Sequence, residues 1–380
     1  MPTMRTAWIV SVGGPAVEIF RLSPAERLRR TLSRAGCEPV MIAPPEDPPP
    51  TGAGVCLVVR DDLIADDRLI AALAEEPDSV LVSRELGPVA ACVGGALAPE
   101  IARALTGGCD SVLESLKHTS PDALVPSYQP SLRKIQAPWI RQVRPEDARA
   151  LEELVFDAAY KGVTDLVTKW AWPRPAAAAT RWCARRDVTP NAVTFASLGL
   201  VILATGLFAR GDFAAGLVAG WLMTFLDTVD GKLARVTGTS SRFGGALDHG
   251  LDLVHPPFWY LAWGLPLGMV DGALMAIIVG GYIVGRLIEG AFLAAFRCEI
   301  HSWQPLDSLF RTITARRNPN LILLSVSVLG GRPELGLTMV ALWTLASLAF
   351  HGVRLLQAMN RRRRGESIVP FAAAAAERSA

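Results

Sequence analysis

The apolar positions divide the chain in two. Up to about residue 120, short apolar runs alternate with amphipathic stretches, whereas residues 190–357 hold apolar segments of spanning length separated by short turns. In the first part, AWIVSV at 7–12 reads as a buried strand closed by Gly13-Gly14-Pro15. Ser23-Pro24 then caps a helix to about Ala35, with Glu26 at the capping-box position. Strand signals follow at 40–42, 54–59, 80–83 and 89–93, and helix signals near 66–75 and 98–106. This alternation predicts a soluble α/β, Rossmann-like domain over residues 1–120 with a largely parallel sheet. Asp61 and Asp62 close a predicted strand, where such sheets place ligands, although turns use Asp there for capping as readily.

Residues 121–187 read as a linker and juxtamembrane helices. Pro145 opens a helix in the way proline favours at a first turn. Further on, 175–186 sets Arg181, Arg185 and Arg186 beside Trp170, Trp172 and Trp182, as expected of a helix lying along lipid headgroups. The part from 188 to 360 opens at Thr189-Pro190-Asn191 and is expected to be an all-α polytopic membrane domain of six transmembrane helices. They are placed at roughly 191–209, 213–234, 244–267, 270–296, 318–331 and 334–357, the fifth being short for a span. A basic and Ala-rich tail, 361–380, follows.

Charge orients this scheme. The connections after the second and fourth segments and the tail are rich in Arg and Lys, while the opposite loops hold only Arg210 and Arg332. The positive-inside rule then puts both termini on the cytoplasmic side of the inner membrane. The apolar run at 7–12 is too short for a signal peptide, so the front domain is expected in the cytoplasm. A net charge of +2 excludes a strongly basic nucleic-acid binder. The six cysteines have no metal-ligand spacing and read as reduced, buried thiols.

Against this background one stretch stands out, DTVDGKLARVTGTSSRFGGALDHGLD at 227–252. It places Asp227, Asp230, Asp248 and Asp252 in or beside apolar sequence, where an unpaired aspartate costs about 2.5–3.5 kcal/mol at mid-membrane. Spacings of three and four residues put each pair on one helix face, so two antiparallel helices can aim all four at one point. Hard divalent cations, which take oxygen ligands, are the natural occupant.

Written as Asp227-x2-Asp230-Gly231-x2-Ala234-Arg235-x8-Gly244-x3-Asp248-x3-Asp252, the stretch resembles the signature of the CDP-alcohol phosphotransferase family at all eight fixed positions. The resemblance implies transfer of a substituted phosphate from a CDP-alcohol donor to an acceptor hydroxyl with release of CMP, in phospholipid or polar-headgroup synthesis. It implies two Mg²⁺ or Mn²⁺ ions on Asp227, Asp230, Asp248 and Asp252, with Asp252 also the catalytic base. Gly231, Ala234, Arg235 and Gly244 would hold the CDP moiety, and a homodimer is expected. For the acceptor, Arg286, Arg297, Arg311, Arg316 and Arg317 suit a phosphorylated polyol such as inositol phosphate; ordinary loop charge and the ion pair of Arg286 with Glu289 are the plainer explanation, and a lipid acceptor stays open. Two segments, KGVTDLVTKW and EIHSWQPLDSLFRTITARRNPN, look like those of enzymes that join CDP-inositol to inositol phosphate. Gly281 and Gly285 suit a dimer contact or close packing within one bundle.

The front domain weakly resembles sugar- or inositol-phosphate nucleotidyltransferases, but no Lys precedes Lys117. A non-catalytic copy is therefore expected. A different class also fits the sequence: a non-enzymatic metal-binding membrane scaffold whose front domain holds a nucleotide or a partner.

Overall fold

The computed structural model describes residues 5–13, 17–47, 54–108, 111–240 and 242–378, without the side chains of 242, 243, 247–249 and 377. It forms two compact units, one of residues 1–129, 135–159 and 236–238, the other of 130–134, 160–235 and 239–380.

In the first unit the strands are β1 (Arg5–Val10), β2 (Val40–Ala43), β3 (Val55–Arg60), β4 (Leu63–Ala65), β5 (Ser79–Ser83), β6 (Gly87–Gly94) and β7 (Lys117–Thr119). Six of them make one sheet in the order β2-β1-β3-β6-β5-β7. Alternate residues face opposite sides, as the two-residue strand period requires. Ala7 and Ile9 pack under α1 (Pro24–Arg34) and α2 (Asp67–Leu73), while Trp8 and Val10 pack under α3 (Ala98–Leu105). With both faces covered, the strands read as near-continuous apolar runs.

The sheet is mixed: β1 runs parallel to β2 and β3, and β5 to β7, while the departure from a parallel, Rossmann-like sheet lies at one strand. β6 runs antiparallel to both neighbours, β3 and β5. The reason is chain length: only Arg84, Glu85 and Leu86 join β5 to β6, and a parallel crossover needs a dozen residues or more. Gly87, at φ +69°, supplies the left-handed backbone of that turn. Asp61 accepts bonds from Ser11 Oγ (2.9 Å) and the Val12 amide (3.0 Å), and Asp62 accepts from Arg60 and Gln142. Both carboxylates thus serve turn and strand-end structure.

Part of the expected linker also belongs here. β8 (Ile140–Gln142) pairs antiparallel with β4, and α4 (Ala148–Ala158) buries Leu151, Val155 and Phe156. Residues 135–159 therefore fold with the first unit.

The second unit has helices at all six expected positions: α6 (Pro190–Arg210), α7 (Phe213–Val236), α8 (Arg242–Gly264), α9 (Ala273–Phe296), α11 (Arg317–Leu329) and α12 (Pro333–Arg363), with the short α10 (Pro305–Arg311) before α11. Among the described residues, four of these, α6, α7, α9 and α12, are long and apolar enough to cross a membrane. The 13 residues of α11 reach about 20 Å at 1.5 Å per residue, short of a hydrocarbon core of about 30 Å. Thr189 caps α6 by accepting from the Ala192 amide, and Pro190 occupies its first turn. Preceding it, α5 (Pro173–Arg185) turns Ala176, Thr180 and Cys183 inward and leaves Trp182 exposed, with the Arg186 guanidinium 5.7 Å from its ring centre. This is the amphipathic pattern expected of an interfacial helix.

Inside the bundle, Phe208, Met223, Trp259, Trp263, Leu321 and Leu337 form the core, while Ile202, Leu287, Leu342 and Leu329 point outward. An apolar exterior around a packed interior fits a lipid solvent. Gly281 sits where an added Cβ would lie 2.5 Å from Thr344 Cγ2, and one at Gly285 would meet Leu348 at 3.7 Å. The two glycines therefore seat α9 against α12 within one chain, so the dimer reading of this pair loses its support.

This packing can be tested with a built-in control, because nothing lies within 4 Å of a Cβ at Gly280. Gly281→Val should destabilise the protein by about 1–3 kcal/mol through overpacking, while Gly280→Val should leave it nearly unchanged. Equal thermal midpoints for the two variants in detergent would remove the packing role.

Candidate active site

Helix α7 presents Asp227 and Asp230 three residues apart. Asp230 is buried; its Oδ2 accepts from Thr194 Oγ1 of α6 at 2.7 Å, and its Oδ1 has no hydrogen-bond partner. An unpartnered carboxylate oxygen in a buried site is an acceptor for a cation. Asp227 and Asp252, the latter from α8, both accept from one guanidinium: Arg317 Nη2 reaches Asp227 Oδ2 at 2.5 Å, and Nη1 donates to Asp252 Oδ1. The Asp248 side chain lies outside the described residues. Among those described, no three His, Cys, Asp or Glu converge on one point. The hard oxygen donors and the free Asp230 Oδ1 nonetheless fit a divalent cation.

Beside Asp230 lies a cavity of about 190 Å³. Gly231, Ala234, Arg235 and Gly244 all line it, joined by Thr194, Pro190 and Asn191 from the start of α6. The four residues read from the signature for the nucleotide are thus brought together. Gly231 and Arg235 also line a second, larger cavity of about 640 Å³, which holds Asp227 and Asp252 as well.

Arg286, Arg311, Arg316 and Arg317 line this larger cavity. Arg297 does not: it is exposed and ends α9 in a left-handed conformation at φ 54°. Glu289 organises the cluster, accepting from Arg286 Nη2 at 2.8 Å and from Arg316, with His301 Nε2 at 3.1 Å from its Oε1. Burial pushes the His301 imidazole well below its ordinary range, so a neutral ring meets the carboxylate. The Nε atoms of Arg286, Arg311 and Arg316, and Nη1 of Arg311, are buried without a hydrogen-bond partner. Eight Lys and Arg line the cavity against five carboxylates, which favours an anionic ligand.

Several wall residues had not been picked out as site residues. Lys161, Lys232 and Asp165 line the cavity, and Asp165 joins the two segments that resemble inositol-handling enzymes. Its Oδ1 accepts from the Val167 and Thr168 amides and from Asn318 Nδ2 at 2.9 Å, while its Oδ2 accepts from Thr168 Oγ1. Against the cost of burial, the Arg311 cation and the bonds from Asn318 and Thr168 hold the Asp165 carboxyl below the usual range. The available signal was one Asp in KGVTDLVTKW, whose partner lies 153 positions away.

Part of the chain is similar to known proteins. Residues 187–310 match the CDP-alcohol phosphatidyltransferase family model. The phosphatidylinositol phosphate synthase of Mycobacteroides abscessus is 39% identical over 108 residues, covering 28% of this chain and 49% of the relative. That of Streptomyces avermitilis is 41% identical over 71 residues, or 18% and 29%. The bifunctional IPC transferase and DIPP synthase of Rubrobacter xylanophilus is 28% identical over 228 residues, 60% of this chain and 50% of the relative. The chain thus spans half or less of the length of these curated relatives. A crystal structure of Mycobacterium tuberculosis phosphatidylinositol phosphate synthase with CDP-DAG bound overlaps 48% of this chain and 94% of its own at 21% identity and a TM-score of 0.39. Residues 187–310, which carry the complete aspartate signature, are thus similar to a CDP-alcohol phosphatidyltransferase domain, in a chain with four helices long and apolar enough to cross a membrane.

Proposed function

We propose that the chain transfers a substituted phosphate from a CDP-linked lipid donor to a hydroxyl of a phosphorylated polyol, with inositol phosphate as the first candidate, and releases CMP. The observation that carries the acceptor is the surplus of cations on the larger cavity, with unpaired N–H groups on Arg286, Arg311 and Arg316. Planar guanidinium donors match phosphate oxygens. The relatives named phosphatidylinositol phosphate synthase support inositol as the polyol. The position of Asp252 on the same cavity supports its role as base.

In this reading the nucleotide lies against Gly231, Ala234, Arg235 and Gly244, and the acceptor phosphate lies among the arginines. The hydroxyl oxygen attacks the donor phosphorus, the bond from phosphorus to the CMP oxygen breaks, and Asp252 takes the hydroxyl proton. Two Mg²⁺ or Mn²⁺ ions, held by Asp227, Asp230, Asp248 and Asp252, supply charge neutralisation at the transferring phosphate. The loop charges support a site at the cytoplasmic face, with α8 and α11 completing six spans. A metal-binding scaffold without activity is less favoured, because it leaves the complete signature and the cavity lined by its Gly231, Ala234, Arg235 and Gly244 unused. The front unit, which has no Lys before Lys117, is proposed to be non-catalytic.

Three outcomes test this reading. With CDP-diacylglycerol and inositol phosphate, Asp252→Asn should slow CMP release by about 10²–10⁴, the usual worth of a positioned base; a variant as fast as the natural protein would sink the assignment. Arg311→Ala should raise KM for inositol phosphate by about tenfold or more, from the loss of charged hydrogen bonds. The donor KM should stay unchanged, and equal rises in both would point away from an acceptor role. The full chain supplied with CTP and inositol phosphate should release no pyrophosphate; release would restore a catalytic front unit.

A further inference from the structure

Arg317 holds an unusual position for a residue on the wall of an anion cavity. Its guanidinium is spent on the two carboxylates that the proposed function assigns to metal: Nη2 on Asp227 Oδ2 and Nη1 on Asp252 Oδ1. The three neighbouring arginines each keep at least one unpaired buried nitrogen, whereas both terminal nitrogens of Arg317 are engaged. Its Nη1 otherwise approaches only the Met223 sulfur, at 3.8 Å.

One delocalised charge thus ties α7 to α8 through oxygens that a divalent ion would also need. A guanidinium cannot be deprotonated under ordinary conditions, so it cannot yield by losing its proton; it can only move. Room to move exists on its own side, because Arg317 lines both the larger cavity and a smaller one of about 130 Å³ with Arg286, Arg311 and Arg316.

We propose that Arg317 is an internal counter-cation that competes with divalent metal for Asp227 and Asp252, so that metal loading frees its guanidinium for the acceptor cavity. This rests on the reading of those aspartates as metal ligands. It adds that the first turn of α11 senses metal occupancy and that acceptor affinity is coupled to it. Coupling of this kind is reciprocal, so an anion among the arginines should also tighten metal.

The test measures Mg²⁺ and Mn²⁺ binding to the full chain in detergent, by titration calorimetry and by metal-dependent thermal shift after chelator treatment. Arg317→Gln should lower the half-saturating metal concentration by about tenfold and should lower the thermal midpoint of the chelator-treated protein, because two carboxylates lose their partner. Arg317→Lys keeps a cation and should fall between the two; it guards against a Gln variant that fails to fold. Unchanged or weaker metal binding in both variants, with normal binding in the natural protein, would overturn the competition alone. If neither the natural protein nor Arg317→Gln binds metal, the metal reading itself falls and takes the proposal with it.

Discussion

Charge neutralisation at one end of an apolar bundle is the constraint on which the helical unit depends. An unpaired ionised side chain at bilayer depth costs a few kcal/mol, and several of these helices carry at least one. The solution is a small number of shared pairs. Arg317 of α11 serves Asp227 of α7 and Asp252 of α8, while Glu289 of α9 serves both Arg286 and Arg316. The pairs that cross between elements also fix neighbours: Arg317 ties α11 to α7 and α8, and Glu289 ties α9 to Arg316 just before α11. These pairs balance, three guanidinium groups against three carboxylates, so the cation surplus of the larger cavity comes from the other residues on its wall, among them Arg311, Lys161, Lys232 and Arg235.

Such a cluster needs rigid helices behind it, and the lower bundle supplies them with polar bonds across apolar crossings. Trp221 Nε1 donates to Ser325 Oγ at 3.0 Å, Trp263 Nε1 to the Pro333 carbonyl at 3.0 Å, and Asn320 Nδ2 to the Tyr260 hydroxyl at 2.7 Å. Where lipid offers no hydrophobic advantage to helix association, close contact and shared hydrogen bonds set the geometry. Small residues permit the approach: an added Cβ at Gly216 would lie 2.4 Å from the Phe208 ring, and one at Gly336 would lie 2.5 Å from Ser327 Oγ.

What could be read from the sequence was whatever is local. The aspartate spacing, the grouping of Gly231, Ala234, Arg235 and Gly244 that line one cavity, and all six helix positions follow from helical period and hydropathy within one segment. The strands of the front unit were legible for the same reason. Their directions were not, because β6 is antiparallel owing to a three-residue connection between two equally apolar runs, and apolarity carries no direction. Arg297 and Arg286 look alike in sequence, yet one terminates a helix in water and the other lies three residues before Glu289 on the inner face. Asp165 was invisible as a wall residue because its role is set by Asn318, and nothing in either segment names the other.

The two cavities meet at Gly231 and Arg235, and this shared wall explains why the signature is so compact. In the proposed reaction, a donor nucleotide on one side and an acceptor phosphate on the other must bring the reacting phosphorus and the attacking oxygen to a near-contact distance of about 3–3.5 Å. A side chain at position 231 would place its Cβ 3.3 Å from Arg235 Nη2, a tight contact from which the guanidinium would have to shift by a few tenths of an ångström. Glycine at 231 and arginine at 235 are therefore one device: the missing side chain lets the guanidinium lie along the helix, with each cavity within reach of its donors.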